Sequence, residues 1–521
     1  MRCFKFFFAS LLLYFFASLS ASAQLPPAKD PLAPAQSAQS ATACSATDAS
    51  SCAQAAAKIV PQVMGPSPME ENLRRLTDEI GGRVTGSPEM AKAVQWAVAA
   101  FRAEGVEVHT EKYTIPNSWS EGDSRIELLG PVKFPIRGVS VAWAPATPRG
   151  GIEADVIDVG DGTEADFAKI NARVKGAILL VHNDVIVTYT DLANEWAKPL
   201  PIVARAAQEG AAAILWMGAR EHLLLYRAIN TSYGDIDKIP QAILAREDAL
   251  RLSRAIAANP GKVRVRLDLP NKIGGPIEQE NVIGEIRGYE KPDETVILGA
   301  HLDSWELGTG ALDNGCNAAL VIEAARAIRA TGLLPRRSIR FILFGGEELG
   351  VLGSHAYVEE HRAELDDIRA MITADYGSGR FTGYSLGGRR DTEAAVREIL
   401  RPLESWNVNN LTYDMDLGSD HVDFFLEGVP TLAANQEDVN YVANYHTASD
   451  TFDKVDMLSL KLNTVVAALT AWGVADRTEP LGKRLNHAEI EQHLVETGID
   501  KQMKFFGLWD AWQSGARGRK P

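Results

Sequence analysis

The sequence predicts an α/β protein: a mixed, largely parallel sheet with helices on both faces, interrupted by an inserted second domain. Three observations carry this reading. From about residue 280 to 455, short unbroken apolar runs alternate with helical stretches, as strands do when a parallel sheet buries both faces. From about 125 to 275 the texture changes to a separate set of short strands, with no candidate cluster of metal-ligating side chains. A helical piece precedes that segment and the α/β run follows it, which makes it an insertion into one larger unit.

The 521 residues suffice for two or three domains and a sizeable core. Apolar residues make up 46% and charged residues 23%, the balance of an ordinary globular protein. A net charge of −15 and the lack of any DNA or RNA motif argue against nucleic-acid partners, which leave a basic footprint.

At the N-terminus Arg2 and Lys5 precede the apolar run 6–19 and the small residues Ala21, Ser22 and Ala23, the order of a secretory signal peptide over 1–23. The run is short for a span of roughly 20 residues, and no later stretch reads as long and apolar enough to cross a bilayer. The mature chain is therefore expected to be exported, periplasmic or secreted, with no stable membrane span. Residues 24–58, rich in Ala, Ser, Pro and Gln, predict a flexible leader. Cys44 and Cys52 lie in it and can pair in an oxidising compartment, whereas Cys316 stands alone in the later core.

Helical periodicity runs through 68–105, with Leu73, Leu76, Ile80, Met90, Val94, Trp96, Ala97 and Phe101 as apolar positions. The turn 81–88 divides it, and Ser87 with Pro88 forms a helix start. Residues 106–111 alternate like a strand, closing the first part (59–124) of the larger unit. Within the insertion (125–275), 154–159, 176–181 and 212–216 predict strands, and 201–210 a helix ending at Gly210. In the second part (276–478), the runs 294–300, 338–344, 370–374 and 428–433 predict core strands. Helices are expected over 318–330, 353–360, 391–400 and 458–471. The tail, 479–521, predicts helices whose Leu494, Phe505, Phe506, Leu508 and Trp509 suit either a cap on the core or contact with a second copy in a homodimer.

The chemistry sits at the carboxyl ends of the four core strands, where open α/β sheets bind ligands. The first runs into His301 and Asp303, the second into Glu347 and Glu348 and the third into Asp375; the fourth is followed by a loop with Tyr445 and His446. One such residue is usually a cap or turn residue, but recurrence at successive strand ends is not explained that way. Carboxylates gathered at one sheet edge repel unless cations neutralise them. Imidazole and carboxylate without thiolate suit zinc or another divalent metal of a hydrolytic site. Asp313, opening a helix 12 residues after His301, reads either as an N-cap or as a carboxylate bridging two metals.

Taken together, His301-Leu302-Asp303-Ser304-Trp305, Gly310-Ala311-Leu312-Asp313-Asn314-Gly315, Glu347-Glu348-Leu349-Gly350, Asp375 and Tyr445-His446-Thr447 resemble the family of cocatalytic-zinc aminopeptidases and glutamate carboxypeptidases, and within it the dipeptidase branch. The likeness runs from about 60 to 475 and includes the insertion, which resembles a protease-associated domain. It implies a zinc-exopeptidase-like fold with two zinc ions per chain: Asp313 bridges them, His301 and Asp375 complete one site, and Glu348 and His446 the other. Glu347 is then the general base, and Asp303 accepts a hydrogen bond from His301 and fixes its tautomer. Tyr445 is either a hydroxyl near the oxyanion or a packed aromatic steadying the His446 loop. The resemblance also implies a cis peptide between Asp313 and Asn314. The family usually has small residues where this chain has Cys316-Asn317. Gly418-Ser419-Asp420-His421 is familiar in the wider family and reads as structural support.

The implied activity is hydrolysis of short peptides or dipeptides with a free N-terminus. Two divalent ions lower the pKa of water and polarise the scissile carbonyl, while Glu347 takes the water proton and delivers it to the leaving amine. Two alternatives come from other classes. One is a catalytically inactive receptor-like or scaffold protein on the same fold, a group that loses metal ligands. The other is a glutaminyl cyclase, which holds one zinc and has no such insertion.

Overall fold

The computed structural model describes residues 46–521. The expected signal peptide, most of the leader, and Cys44 with its pairing to Cys52 lie outside the described residues.

Strand Lys291–His301 lies at the centre of an eight-stranded sheet, parallel to Arg337–Phe344 on one side and Ile368–Thr373 on the other. Ile368–Thr373 runs parallel to Thr431–Gln436 in turn. Antiparallel pairs extend both margins: Ile277–Ile286 and Glu107–Ile115 beyond Arg337–Phe344, and Phe381–Ser385 beyond Thr431–Gln436. The sheet is thus mixed, with a parallel centre. Successive side chains alternate between two cores. Val296, Leu298 and Ala300 join Ile339, Phe341 and Leu343 in the core beneath helices Cys316–Ala330 and Met457–Asp476. Ile297, Ile342 and Phe344 pack on the opposite face with Tyr357, Val358 and Phe424. Helices therefore cover both faces, as the unbroken apolar runs require.

Two expectations need correction. The flexible leader expected over 24–58 is instead helical in its described part, since residues 46–58 are the first turns of helix Ala46–Met64. Cys52, Ala55, Ala56, Ile59 and Val63 form its buried stripe, packed against Met457–Asp476 and Cys316–Ala330. The physical reason is that alanine, poor in buried area, is the strongest helix former and lets a helix approach its neighbours closely. Helix Met457–Asp476 is also long and apolar enough to cross a membrane, against the expectation that no later stretch is. It is mostly buried within the protein, and a helix apolar all round is one surrounded by core.

A second eight-stranded sheet is drawn wholly from residues 125–268. Its strands Ile152–Asp158, Ile178–Val181, Ala213–Met217 and Gln241–Leu244 run parallel in that order. Helix Pro199–Glu209 covers it and ends at Gly210 in the left-handed conformation. Between Ala213–Met217 and Gln241–Leu244 the chain leaves this sheet and lies along residues 446–448, where Tyr226 bridges antiparallel to Thr447. The tail forms helices His487–Thr497, Ile499–Phe505 and Trp509–Gln513. Leu494 and Trp512 pack on Val422 and Phe425, while Phe505 and Phe506 stay exposed.

Ile59 is fully buried in the stripe that ties helix Ala46–Met64 to the core. Ile59→Ala should therefore cost about 2–4 kcal/mol of stability, read from urea unfolding. A loss under about 0.5 kcal/mol, the scale of an ordinary surface substitution, would show that this helix is peripheral.

Candidate metal centre

Parallel register brings the strand ends level: His301 pairs with Phe344, and Gly299 with Thr373. Just past those ends the chain leaves the sheet with His301, Glu347, Glu348 and Asp375. The turn Ala311–Gly315 brings in Asp313, and the peptide from Asp313 to Asn314 is cis. His446 follows the short helix Tyr441–Asn444 with φ 59°, a left-handed conformation unusual for a side-chain-bearing residue.

Asp313 faces two imidazoles at once. Its Oδ1 is 3.2 Å from His301 Nε2, and its Oδ2 is 3.3 Å from His446 Nε2. Asp375 Oδ1 lies 2.9 Å from His301 Nε2, and Glu348 Oε2 lies 3.0 Å from His446 Nε2. Two groups result, His301–Asp313–Asp375 and Asp313–Glu348–His446, each with its ligand atoms within 4.8 Å of one another. Asp313 Oδ2, Glu348 Oε1 and His446 Nε2 are buried without hydrogen-bond partners among the described residues. Such orphaned atoms are costly, and a cation bound within the group would give them a partner. Zinc bonds of about 2.1 Å in a tetrahedron place ligand atoms roughly 3.4 Å apart, close to these separations.

Glu347 Oε2 stands off at 3.9 Å from His301 Nε2. The two glutamates face different histidines from the 3-10 turn Glu347–Leu349, beyond the end of the strand. Asp303 also differs from expectation. His301 Nδ1 donates to the main-chain carbonyl of Asp303 at 3.1 Å, and the Asp303 carboxylate is 3.6 Å away. That carboxylate accepts instead from the Glu347 and Glu348 amides, both at 3.3 Å, and from the Thr85 hydroxyl at 2.6 Å. It thus orients the glutamate turn more directly than the histidine. Tyr445 stacks on His446, ring centroids 3.6 Å apart, and packs on Tyr441 and Trp196. Asp420 is fully buried near Asp375 and takes no part in either group.

Burial and charge crowding together set protonation. Burial pushes Glu347 well above the usual carboxylate range, with Asp375 and Glu348 adding to it against the pull of His301. Glu348 rises to about 7, chiefly from burial, with His446 opposing. Burial disfavours the His446 imidazolium, but Glu348 and Asp313 outweigh it and hold the ring up at about 10. Asp313 falls below its usual range because His301 and His446 overcome its burial.

Two supporting residues went unrecognised in the sequence. Asp450 accepts from the amides of Ala311 (3.0 Å), Leu312 (2.6 Å) and Asp313 (3.1 Å), fixing the turn that presents Asp313. Arg83, fully buried, donates to the carbonyls of Leu302, Gly81, Thr309 and Gly310 and so ties the loops on both sides of the site. Arg83 lies in a segment that reads as a plain helix break, and Asp450 has no local signal at all.

The pattern of peptidase family M28 matches residues 281–471. Carboxypeptidase Q of Mus musculus is 30% identical over 415 residues, covering 79% of this chain and 86% of that protein. A peptidase M28 precursor from Shewanella amazonensis has a similar crystal structure, with TM-score 0.74 and 27% identity, over 84% of this chain and 99% of its own. BSAP, a zinc aminopeptidase from Bacillus subtilis, is similar in fold, with TM-score 0.63 and 22% identity over 80% and 98% of the two chains.

Ligand atoms must be deprotonated to take a metal, so protons on Glu348 and His446 compete with it. Raising the pH removes that competitor: with Glu348 at about 7 and His446 at about 10, divalent affinity should rise with pH. Zinc affinity from chelator competition should be at least about 10-fold tighter near pH 8 than near pH 6. An affinity flat across that window would contradict this view of the cluster.

Proposed function

The chain belongs to peptidase family M28, and on that footing we propose that it is an exported exopeptidase that holds two zinc ions and hydrolyses short peptides or dipeptides with a free N-terminus. The observation that carries the reading is Asp313, whose two oxygens each face a different histidine and so belong to both ligand groups. Two imidazoles and three carboxylates without thiolate suit zinc. Two ions, when bound, would supply Lewis-acid charge that lowers the pKa of water and polarises the peptide carbonyl.

The chain's own residues do the rest. Glu347 stands back from both ligand groups, within reach of an attacking water, and takes its proton and returns it to the leaving amine. Asp303 holds the amides of Glu347 and Glu348, so base and ligand keep a fixed spacing. Tyr445, stacked on His446, either offers its hydroxyl to the carbonyl oxygen as it becomes an oxyanion or steadies the His446 loop as a packed aromatic. Asp303, Asp313, Glu347, Glu348 and Asp375, when ionised, carry more charge than two divalent ions cancel, which favours a substrate ammonium. The segment 125–275 is read as a protease-associated-like domain, and the order of charge, apolar run and small residues at the N-terminus as an export signal.

A dipeptide panel with free and blocked N-termini, run with and without chelator, tests the activity. Metal-dependent cleavage of the free dipeptides and poor cleavage of the blocked ones is expected. Equal cleavage of both would remove the exopeptidase assignment, and full activity after chelation would remove the metal. Stoichiometry separates the alternatives: two ions per chain fit this reading, one a cyclase, none a scaffold.

The two adjacent glutamates should part company on substitution. Glu347→Gln keeps the shape but loses the proton acceptor, so turnover should fall about 100- to 10,000-fold with both metals retained. Glu348→Ala removes a ligand and should lower metal content as well as rate. Mass spectrometry of metal content beside dipeptide turnover decides; a Glu347→Gln enzyme that stays active, or loses metal as Glu348→Ala does, would reverse the roles.

A further inference from the structure

We infer that Arg227 is a positioning residue through which the second sheet's segment holds His446 in its ligating orientation. The inference rests on the two-zinc reading above. Arg227 lies in the stretch between Ala213–Met217 and Gln241–Leu244, and its main chain pairs with His446 in both directions. The Arg227 amide donates to the His446 carbonyl at 2.9 Å, and His446 Nδ1 lies 3.2 Å from the Arg227 carbonyl. A carbonyl can only accept, so Nδ1 carries the proton, and in the neutral ring Nε2 keeps the lone pair that faces Asp313 and Glu348. The Tyr226–Thr447 bridge and a 3.0 Å bond from the Ala448 amide to the Leu225 carbonyl extend the same pairing. A left-handed histidine persists where its surroundings over-determine it, and this short antiparallel ladder does so.

The Arg227 side chain anchors that ladder. Its guanidinium is fully buried and donates to Glu121 at 2.6 Å, to Glu306 and to the Ser140 carbonyl. Glu306 belongs to the loop that begins at His301. The side chain thus fixes Arg227 in place, and its main chain in turn holds the His446 loop. A planar fork with five donors can serve two carboxylates and a carbonyl together, which a lysine ammonium does less well. A buried charge of this kind holds its place only while those partners remain.

The consequence is asymmetric. His446 belongs to the Asp313–Glu348–His446 group alone, whereas the His301–Asp313–Asp375 group receives no hydrogen bond from Arg227. Loss of the anchor should weaken one zinc about 10- to 100-fold, the range for partners that orient a metal-bound histidine, and leave the other near its wild-type affinity. Stepwise zinc titration against a chromophoric chelator reads both affinities on the full chain of Arg227→Met, Arg227→Lys and Glu306→Gln, with circular dichroism to check folding. Arg227→Lys should fall between wild type and Arg227→Met. If Arg227→Met does not fold, Glu306→Gln, at a partly exposed partner, should still selectively weaken the same zinc by several-fold. Folded variants that keep both affinities, or that lose both equally, would overturn the positioning role. A wild-type chain that takes fewer than two zinc ions would instead overturn the two-zinc reading.

Discussion

Asp313, Glu347, Glu348 and Asp375 are held around two imidazoles at N···O distances of 2.9 to 3.9 Å, largely shut off from water. Like charges about 4 Å apart repel by roughly 4 kcal/mol at an effective dielectric of about 20, and a whole domain is stable by only about 5–15 kcal/mol. Four carboxylates so placed would consume much of that stability if all stayed ionised. Protons relieve part of the repulsion: burial first, with neighbouring carboxylates adding to it, holds Glu347 and Glu348 high, and the carboxylates outweigh burial to hold both histidines in the charged form. Divalent cations relieve it more completely and leave the ligand oxygens unprotonated. On the proposed reading the cluster is a cation site, and the surrounding structure is what keeps it from spreading apart.

That restraint comes from buried ionic side chains that spend their hydrogen bonds on main-chain groups. Asp450 takes three amides of the Asp313 turn, Asp303 takes the two glutamate amides, and Arg83 gives to four carbonyls of the flanking loops. Loop backbone cannot pair with itself as strands and helices do, yet buried amides and carbonyls must find partners. Using ionic side chains for that purpose fixes loop geometry without adding a further group to the two ligand clusters. The sheet sets the strand ends to within a residue by its register, and these side chains set the remaining few ångströms.

The parts of this design that were legible in the sequence are those with local causes. Unbroken apolar runs marked the parallel strands, and imidazole and carboxylate groups at their ends marked the site. Ser87 ahead of Pro88 marked a helix start, and Ser87 does accept from the Met90 amide. What stayed hidden was long-range or compositional. Asp450 contacts a turn nearly 140 residues away, and Arg83 contacts carbonyls more than 200 residues away, so neither carries a pattern. Helix Ala46–Met64 was masked because alanine signals low buried area in a composition and close packing in a structure. Asp303 lies two residues from His301 in sequence, yet its carboxylate turns to amides at another strand end.

The segment 125–275 shows how a long insertion can reach a site without disturbing the sheet. It leaves the main sheet after Ile115 and returns at Ile277, which are paired neighbours, so the sheet sees little more than a hairpin. Beyond them Trp119–Ser120 pairs with Lys272–Ile273, continuing the ribbon outward. Loop closure cost grows slowly with length, so the size of what lies between hardly affects the strands. A ribbon alone would leave the second sheet free to swing, and the ladder at residues 225–227 and 446–448 supplies the contact that stops it. Helix Tyr189–Ala197 adds aromatic contacts, Tyr189 on Tyr376 and Tyr441, and Trp196 on Tyr445. These contacts account for the conformation of His446, whose neighbours in sequence give no reason for a left-handed backbone. Its ring is set by a carbonyl 219 residues away, so the geometry of the centre is a property of both sheets together.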